Sequence, residues 1–281
     1  MADRNYLTSK EISAYTIEAG ITKVNRPFME IFFMGILAGM YIAMGGLASA
    51  TASHGIADPG LAKFVAGIVF PVGLMFVVIN GADLFTGNCL VIMSVYEKKT
   101  TVMNLITNLT IVLVGNFIGA TVIAFMEAFS GLLTMGDGHF IYYVFKTAAA
   151  KTSLPFMQAF ILGIICNLFV CSAIVMMYAA KDVTGKMLAG FFALLAFITS
   201  GSEHVVANMY YVPIALFAKT QPELVELALS SGITAEKLEH ITWGNFIFSN
   251  GIPVMLGNIV GGFIIGTMYY LTHYVFAKKV N

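Results

Sequence analysis

A chain of 281 residues that is 58% hydrophobic and only 11% charged, with a mean hydropathy of +0.85, has the composition of a membrane protein. Its 15 basic and 15 acidic residues leave no basic face for nucleic acid. The three cysteines, Cys89, Cys166 and Cys171, fall in apolar runs, and Cys166 and Cys171, five apart on one helix, are unsuited to a disulfide.

The opening residues are polar and carry both charges, which is not the pattern of a cleavable signal peptide. Thr8 with Glu11 spells a capping box ahead of a helix whose Ile12, Tyr15 and Ala19 share a face. An amphipathic segment over residues 1–27, lying along the cytoplasmic membrane surface, is expected. Six runs then reach the roughly 20 residues that cross a hydrocarbon core of about 30 Å. They cover residues 28–50, 61–96, 104–130, 156–180, 187–218 and 248–277. Between the last two, Thr220 with Glu223 repeats the capping-box pattern before Leu224, Leu227 and Ala228.

Lys and Arg accumulate on the cytoplasmic side of short loops. With six spans, Arg4, Lys10, Lys23, Arg26, Lys98, Lys99, Lys181, Lys186, Lys278 and Lys279 share one side, and Lys63, Lys146, Lys151, Lys219 and Lys237 the other. Both termini are therefore expected in the cytoplasm.

The second and fifth runs exceed one crossing, and each contains a Gly-x-acid-x-x-x-x-Asn pattern: Gly81 to Asn88 with Asp83, and Gly201 to Asn208 with Glu203. Lipid offers the backbone no hydrogen-bond partners, so a helix interrupted at that depth implies a protein-lined or watered path. Gly115-Asn116 to Gly119 in the third run and Gly257-Asn258 to Gly261 in the sixth share a spelling 142 residues apart, while the broken motifs are 120 apart. The expected fold is a single all-α membrane domain over 1–281, with repeats at 28–130 and 156–277. Three spans per repeat force opposite orientations, with helices 2 and 5 broken at mid-bilayer. Gly35 and Gly39, like the paired glycines above, fit small-residue helix packing.

A charge at the bilayer centre costs on the order of 3 kcal/mol, so the polar residues near the breaks need reasons. Asp83 and Glu203 are expected to cap the freed N–H groups of half-helix starts. Thr86 and His204 are poor caps in these surroundings and are the candidates for function, with Asn208 a supporting polar group. Asn167 is expected either to orient His204 or to bond between helices. Phe70, Leu74, Leu84, Phe85, Val170 and Phe197 are either core packing or dry constrictions. Lys151 reads as a loop lysine that, at a pore mouth, would concentrate a small anion. His54, His139, His204, His240 and His273 are scattered, with no metal-ligand spacing and no phosphate-binding glycine loop, so neither an enzyme nor a cofactor is expected.

Four stretches taken together, Gly81 to Thr86, Ile165 to Cys171, Ser200 to Met209 and Asn250 to Asn258, resemble the formate/nitrite transporter family. The resemblance implies an aquaporin-like six-helix protomer, five to a ring, in a bacterial plasma membrane, each with its own pore for a small monovalent anion such as formate, nitrite or hydrosulfide. It also implies Thr86 and His204 as the central pair, Asn167 as the histidine's partner, Lys151 as the vestibule lysine, and Phe70, Leu74, Leu84, Phe85, Val170 and Phe197 as two constriction rings. One departure is Gly87-Asn88-Cys89 directly after Thr86, where formate channels carry serine. The expected activity is a channel or proton-linked transporter, formate first, with nitrite, hydrosulfide and a strictly coupled symporter as alternatives.

Overall fold

The computed structural model describes residues 4–277; Lys278 and Lys279 of the charge count lie outside them. The described residues form helices with no β-strand; one isolated antiparallel bridge joins Tyr6 to Ala180. In order come α1 (Ser9–Val24), α2 (Phe28–Ser53), α3 (Pro59–Val69), α4 (Val72–Asn80), α5 (Phe85–Asn88), a 3-10 turn (Cys89–Val91), α6 (Ile92–Tyr96) and α7 (Val102–Ala128). After a 3-10 turn at Leu132–Thr134 follow α8 (His139–Thr152), α9 (Phe156–Ala179), α10 (Val183–Ser200), α11 (Val205–Ala218), α12 (Pro222–Ser230) and α13 (Ala235–His240). A last assembly comprises α14 (Trp243–Asn245), a π-helical segment (Phe246–Gly251), α15 (Ile252–Tyr270) and a second π-helical segment (Leu271–Phe276).

Among the described residues, six stretches are long and apolar enough to cross a membrane: Phe28–Ser53, Pro59–Asn80, Val102–Ala128, Phe156–Ala179, Val183–Ser200 and Trp243–Phe276. Phe85–Tyr96 and Val205–Ala218 are shorter apolar helices that follow the second and fifth. The turns before them both use glycine in the left-handed region, Gly81 at φ 80° and Gly201 at φ 71°, where a side chain would be strained.

Small residues set the packing. α2 lies on α7 and α9 on α15. A Cβ on Gly119 would collide with the Ile36 carbonyl oxygen, and one on Gly257 with that of Phe160. Without side chains at these points the backbones approach closely enough for dispersion contacts to act along the whole crossing.

Three expectations need correction. The buried face of α1 is Ile12, Ser13, Thr16, Ile17 and Gly20, while Tyr15 is exposed. Gly20 abuts Ser94, whose hydroxyl donates to the Ile17 carbonyl at 2.7 Å, so α1 docks on protein, under the 89–96 segment and α9. The Thr8 and Glu11 capping box is present. The second one is not: Gln221 is the N-cap of α12, and the Thr220 hydroxyl instead donates back to the Phe217 carbonyl at 2.7 Å. Pro222 explains this, since it opens the helix without an N–H to be capped. Finally, the segment around Lys151 is a helix, α8, that buries Phe140, Ile141, Val144, Phe145, Ala148 and Ala149, with Lys151 in its last turn.

Candidate functional site

Where a helix stops inside a bundle, its free N–H and C=O groups must find partners. Asparagines do this at both turns. Asn116 of α7 accepts from the Phe85 N–H at 3.0 Å and donates to the carbonyls of Gly35 (2.7 Å) and Asp83 (3.0 Å). Asn258 of α15 accepts from the Val205 N–H at 2.9 Å and donates to the carbonyls of Gly163 (2.8 Å) and Glu203 (3.0 Å). The Asp83 N–H donates to Met34 and the Glu203 N–H to Leu162, each at 3.2 Å.

The carboxylates are engaged elsewhere. Asp83 pairs with Lys23 of α1 at 3.0 Å and with Arg26 at 2.7 Å. Lys23 also donates to Asn88 at 2.5 Å, Asn88 donates to Asn108 at 2.9 Å, and Asn108 donates to the Lys23 carbonyl at 3.2 Å. At the other turn Lys151 holds both Glu203 oxygens, at 2.9 and 3.1 Å. Asn208 donates to Glu203 at 2.6 Å and to Asn250 at 2.7 Å, and Asn250 donates to the Lys151 carbonyl at 3.2 Å. Burial pulls the Lys23 ammonium down, but the negative charge of Asp83 outweighs it and holds Lys23 above the ordinary lysine value. A cavity of about 340 Å³ adjoins the first cluster, lined among others by Lys23, Arg26, Asp83, Leu84 and Tyr178.

Thr86 and His204 meet between the two clusters, both buried, with Thr86 Oγ1 2.9 Å from His204 Nε2. His204 is itself the N-cap of α11: its Nδ1 accepts from the Ala207 N–H at 3.0 Å. In a neutral ring one nitrogen accepts and the other carries hydrogen, so this network assigns the hydrogen to Nε2. Nε2–H then donates to Thr86, whose own hydroxyl hydrogen stays available. Protonating Nδ1 would leave the Ala207 N–H without its acceptor.

Against expectation, then, Asp83 and Glu203 do not cap; the asparagines and His204 do, because the carboxylates are drawn to cations. Asn167 does not bond His204. It donates to the carbonyls of Thr86 (3.2 Å) and Asn258 (2.6 Å), so it fixes the backbone of one member of the pair and the asparagine beside the other. Lys151 is not a free loop lysine but an ion-paired one whose ammonium also lies 5.5 Å from the Tyr211 ring. Phe70, Leu74, Leu84, Phe85, Val170 and Phe197 are all buried. Phe197 bridges Phe70 (6.0 Å between rings) and His204 (5.9 Å).

Sequence reasoning missed Lys23, Arg26, Asn108, Asn250 and the capping role of Asn116 and Asn258. An asparagine at the same place in both glycine motifs was the available signal for the last two. With that geometry in hand, comparison with known proteins is direct. Residues 10–272 match the sequence profile of the family described as Formate/nitrite transporter. The chain belongs to the formate/nitrite transporter family. Relatives include the formate channel FocA of Haemophilus influenzae, 38% identical over 92% of this chain and 91% of that one. Another is a probable formate transporter of Methanothermobacter thermautotrophicus, 36% identical over 89% of this chain and 91% of that one. Among solved structures, a pentameric formate channel with formate bound superposes with a TM-score of 0.79 at 30% identity, covering 88% of this chain and 98% of that chain. Membership in this transporter family, with six apolar helices, makes the chain a multi-pass membrane protein.

Proposed function

We propose that the protein passes formate, the small monovalent anion of a weak acid, through a pore in each protomer. Relatives named as formate channels favour formate over nitrite and hydrosulfide. One observation carries the reading: the buried 2.9 Å contact between Thr86 and His204 joins the starts of two helices that both begin inside the bundle. On this reading Pro59–Tyr96 and Val183–Ala218 are broken spans, and the chain is two repeats of opposite orientation. Matched hydrogen-bond partners support that pairing at constant offsets within each element. The offset is 128 residues for Lys23 and Lys151 and for Gly35 and Gly163, 120 for Asp83 and Glu203 and for Asn88 and Asn208, and 142 for Asn108 and Asn250 and for Asn116 and Asn258. The pairing of Lys23 with Lys151 makes α1 the counterpart of α8, so each repeat begins with its amphipathic helix.

An anion reaches the α8 end beside the Lys151 ammonium, whose pull Glu203 tempers. Between Phe70 and Phe197 on one side and Leu84 and Phe85 on the other, desolvation makes its charge costly and favours the neutral acid. The free Thr86 hydroxyl hydrogen and the partial positive charge at the start of α11 meet the anion there. The proton that neutralises it enters from the same side and leaves with it, while the Thr86 hydroxyl, held by His204 Nε2–H, donates to the anion at the dry ring. Each unit of effective pKa shift is worth about 1.4 kcal/mol, so a few units offset much of the desolvation cost. We place five protomers in a ring, as in the pentameric structural relative, in a bacterial plasma membrane with the α1 end cytoplasmic.

The test is flux into proteoliposomes of formate, nitrite and hydrosulfide side by side, for the wild type and His204→Ala. The reading expects formate to pass fastest and the variant to lose roughly tenfold or more of that flux. Accumulation against a concentration gradient, driven by a pH gradient, would identify a coupled symporter; equilibration alone would identify a channel. Formate flux unchanged by His204→Ala at acidic and neutral pH would remove His204 from the path.

A further inference from the structure

Several buried hydrogen bonds have no counterpart in the other half, and one of them involves a carboxyl far from the central pair. Glu127, near the end of α7, is 2% exposed, and its Oε2 accepts from the Tyr210 hydroxyl at 2.6 Å. Its Oε1 has no hydrogen-bond partner, and no Lys, Arg or His among the described residues comes within ion-pair distance of it. Under the offsets above, Tyr210 corresponds to Leu90 and Glu127 to Tyr269, so the equivalent positions carry no carboxyl and no carboxyl–phenol bond. The architecture therefore does not require this pair, and an acid buried without a cation is costly to keep.

Its neighbours point to a task. Tyr210 is six residues beyond His204 on α11, and Gly46 of α2 leaves room for its ring. Tyr211 stacks edge-on against Tyr210 at 5.1 Å and lies under the Lys151 ammonium. The titratable groups facing Glu127 are Tyr210 and Tyr211 of α11, which in turn meet Tyr143 of α8. The 3-10 turn at Leu132–Thr134 carries none. His54, at the end of α2, is occupied by the Thr51 carbonyl at 2.8 Å and the Phe140 ring. No cation, then, offsets a negative charge created at Glu127.

We propose that Glu127 is a positioning residue for the pore that reads the proton concentration at the α8 end of the molecule. Protonated, it holds Tyr210, and through it α11 with His204, at the setting that meets Thr86. Ionised, the uncompensated carboxylate grips the Tyr210 hydroxyl harder and its free Oε1 draws water into the packing of α7 on α11, so Tyr210 is pulled from its setting and His204 shifts from Thr86. Formate passage then falls as pH rises on that face alone, over and above any dependence that comes from the substrate's own proton. The inference rests on the pore reading given above for its effect on flux, but not for the titration itself.

Two measurements on the full chain in liposomes test it. Infrared difference spectra across a pH titration should contain a carboxylic-acid carbonyl band that is missing in Glu127→Gln, a near-isosteric variant that keeps an acceptor for Tyr210. Formate flux should be matched between wild type and E127Q at acid pH on the α8 side. When that side is made alkaline the wild type should drop roughly threefold further than E127Q. Tyr210→Phe, which removes the link, should lower flux at every pH and flatten the same difference. An infrared titration identical in wild type and E127Q overturns the proposal, as do superimposable pH profiles. A wild type that passes no formate while the Glu127 band titrates would refute the pore reading and leave the titrating group established.

Discussion

The two turns at Gly81 and Gly201 share a hydrogen-bond plan but differ in how charge is shared. At the α1 end, one carboxylate, Asp83, meets two cations, Lys23 and Arg26, and Lys23 has a bond to spare for Asn88. At the α8 end one lysine holds both oxygens of Glu203, and Asn208 is left with an unpartnered Oδ1. The first cluster is redundant and is supplied by a helix docked from outside the spans. The second is saturated on its acid and depends on a single ammonium. Backbone geometry is thus matched at the two sites by asparagines, while the charges around them differ.

The largest effects should come from what the halves share. Asn116→Leu and Asn258→Leu each orphan one N–H and one loop carbonyl, the Gly35 and Gly163 carbonyls keeping their helical partners; at about 1–3 kcal/mol per unsatisfied group, each should lose at least ~2 kcal/mol of stability. Thermal unfolding in detergent should show similar losses; a large loss for one and none for the other would break the equivalence. The difference in charge predicts an inequality of intermediate size. Lys151→Met strands Glu203 without a cation and should cost about 3 kcal/mol, whereas Lys23→Met leaves Arg26 on Asp83 and should cost roughly half that. Equal destabilisation in the same assay would refute the redundancy argument.

The smallest effect concerns the attachment of α1. The Glu11 carboxyl is held below the ordinary carboxylate value by the Thr8 hydroxyl and then by the Thr8 N–H. A lowered folded-state value means that the cap contributes above the ordinary carboxylate range and is lost as pH falls through Glu11's own value. Thr8→Ala should speed amide exchange in the first turn of α1 by about fivefold at neutral pH, with a smaller difference from wild type in strong acid, where only the bond from the Glu11 N–H to the Thr8 hydroxyl is left to lose. An unchanged exchange rate would show that docking on Ser94, not the cap, fixes the helix start.

The six apolar stretches were legible because hydropathy over some twenty residues is a local signal, and the helix ends at Asn80 and Ser200 because Gly81 and Gly201 carry an acid and an asparagine at the same spacing. The partners of those acids were not legible. Lys23 and Asp83 are separated by 60 residues and Lys151 and Glu203 by 52, and nothing in either neighbourhood encodes the other. Assigning the capping to Asp83 and Glu203 followed local chemistry correctly, but the cations and the asparagines of α7 and α15 arrive through tertiary packing. The same holds for Asn167, whose reach to the Thr86 carbonyl depends on how α9 crosses α5. Glu127 gave no signal because its phenol lies 83 positions further on.

Thr86→Val tests the central claim most directly, since it removes one hydroxyl from the contact with His204 and keeps the side chain's shape. Formate flux in proteoliposomes should fall about tenfold or more while the unfolding temperature stays near that of the wild type. Wild-type flux in this variant would mean that the anion does not pass the Thr86 and His204 contact.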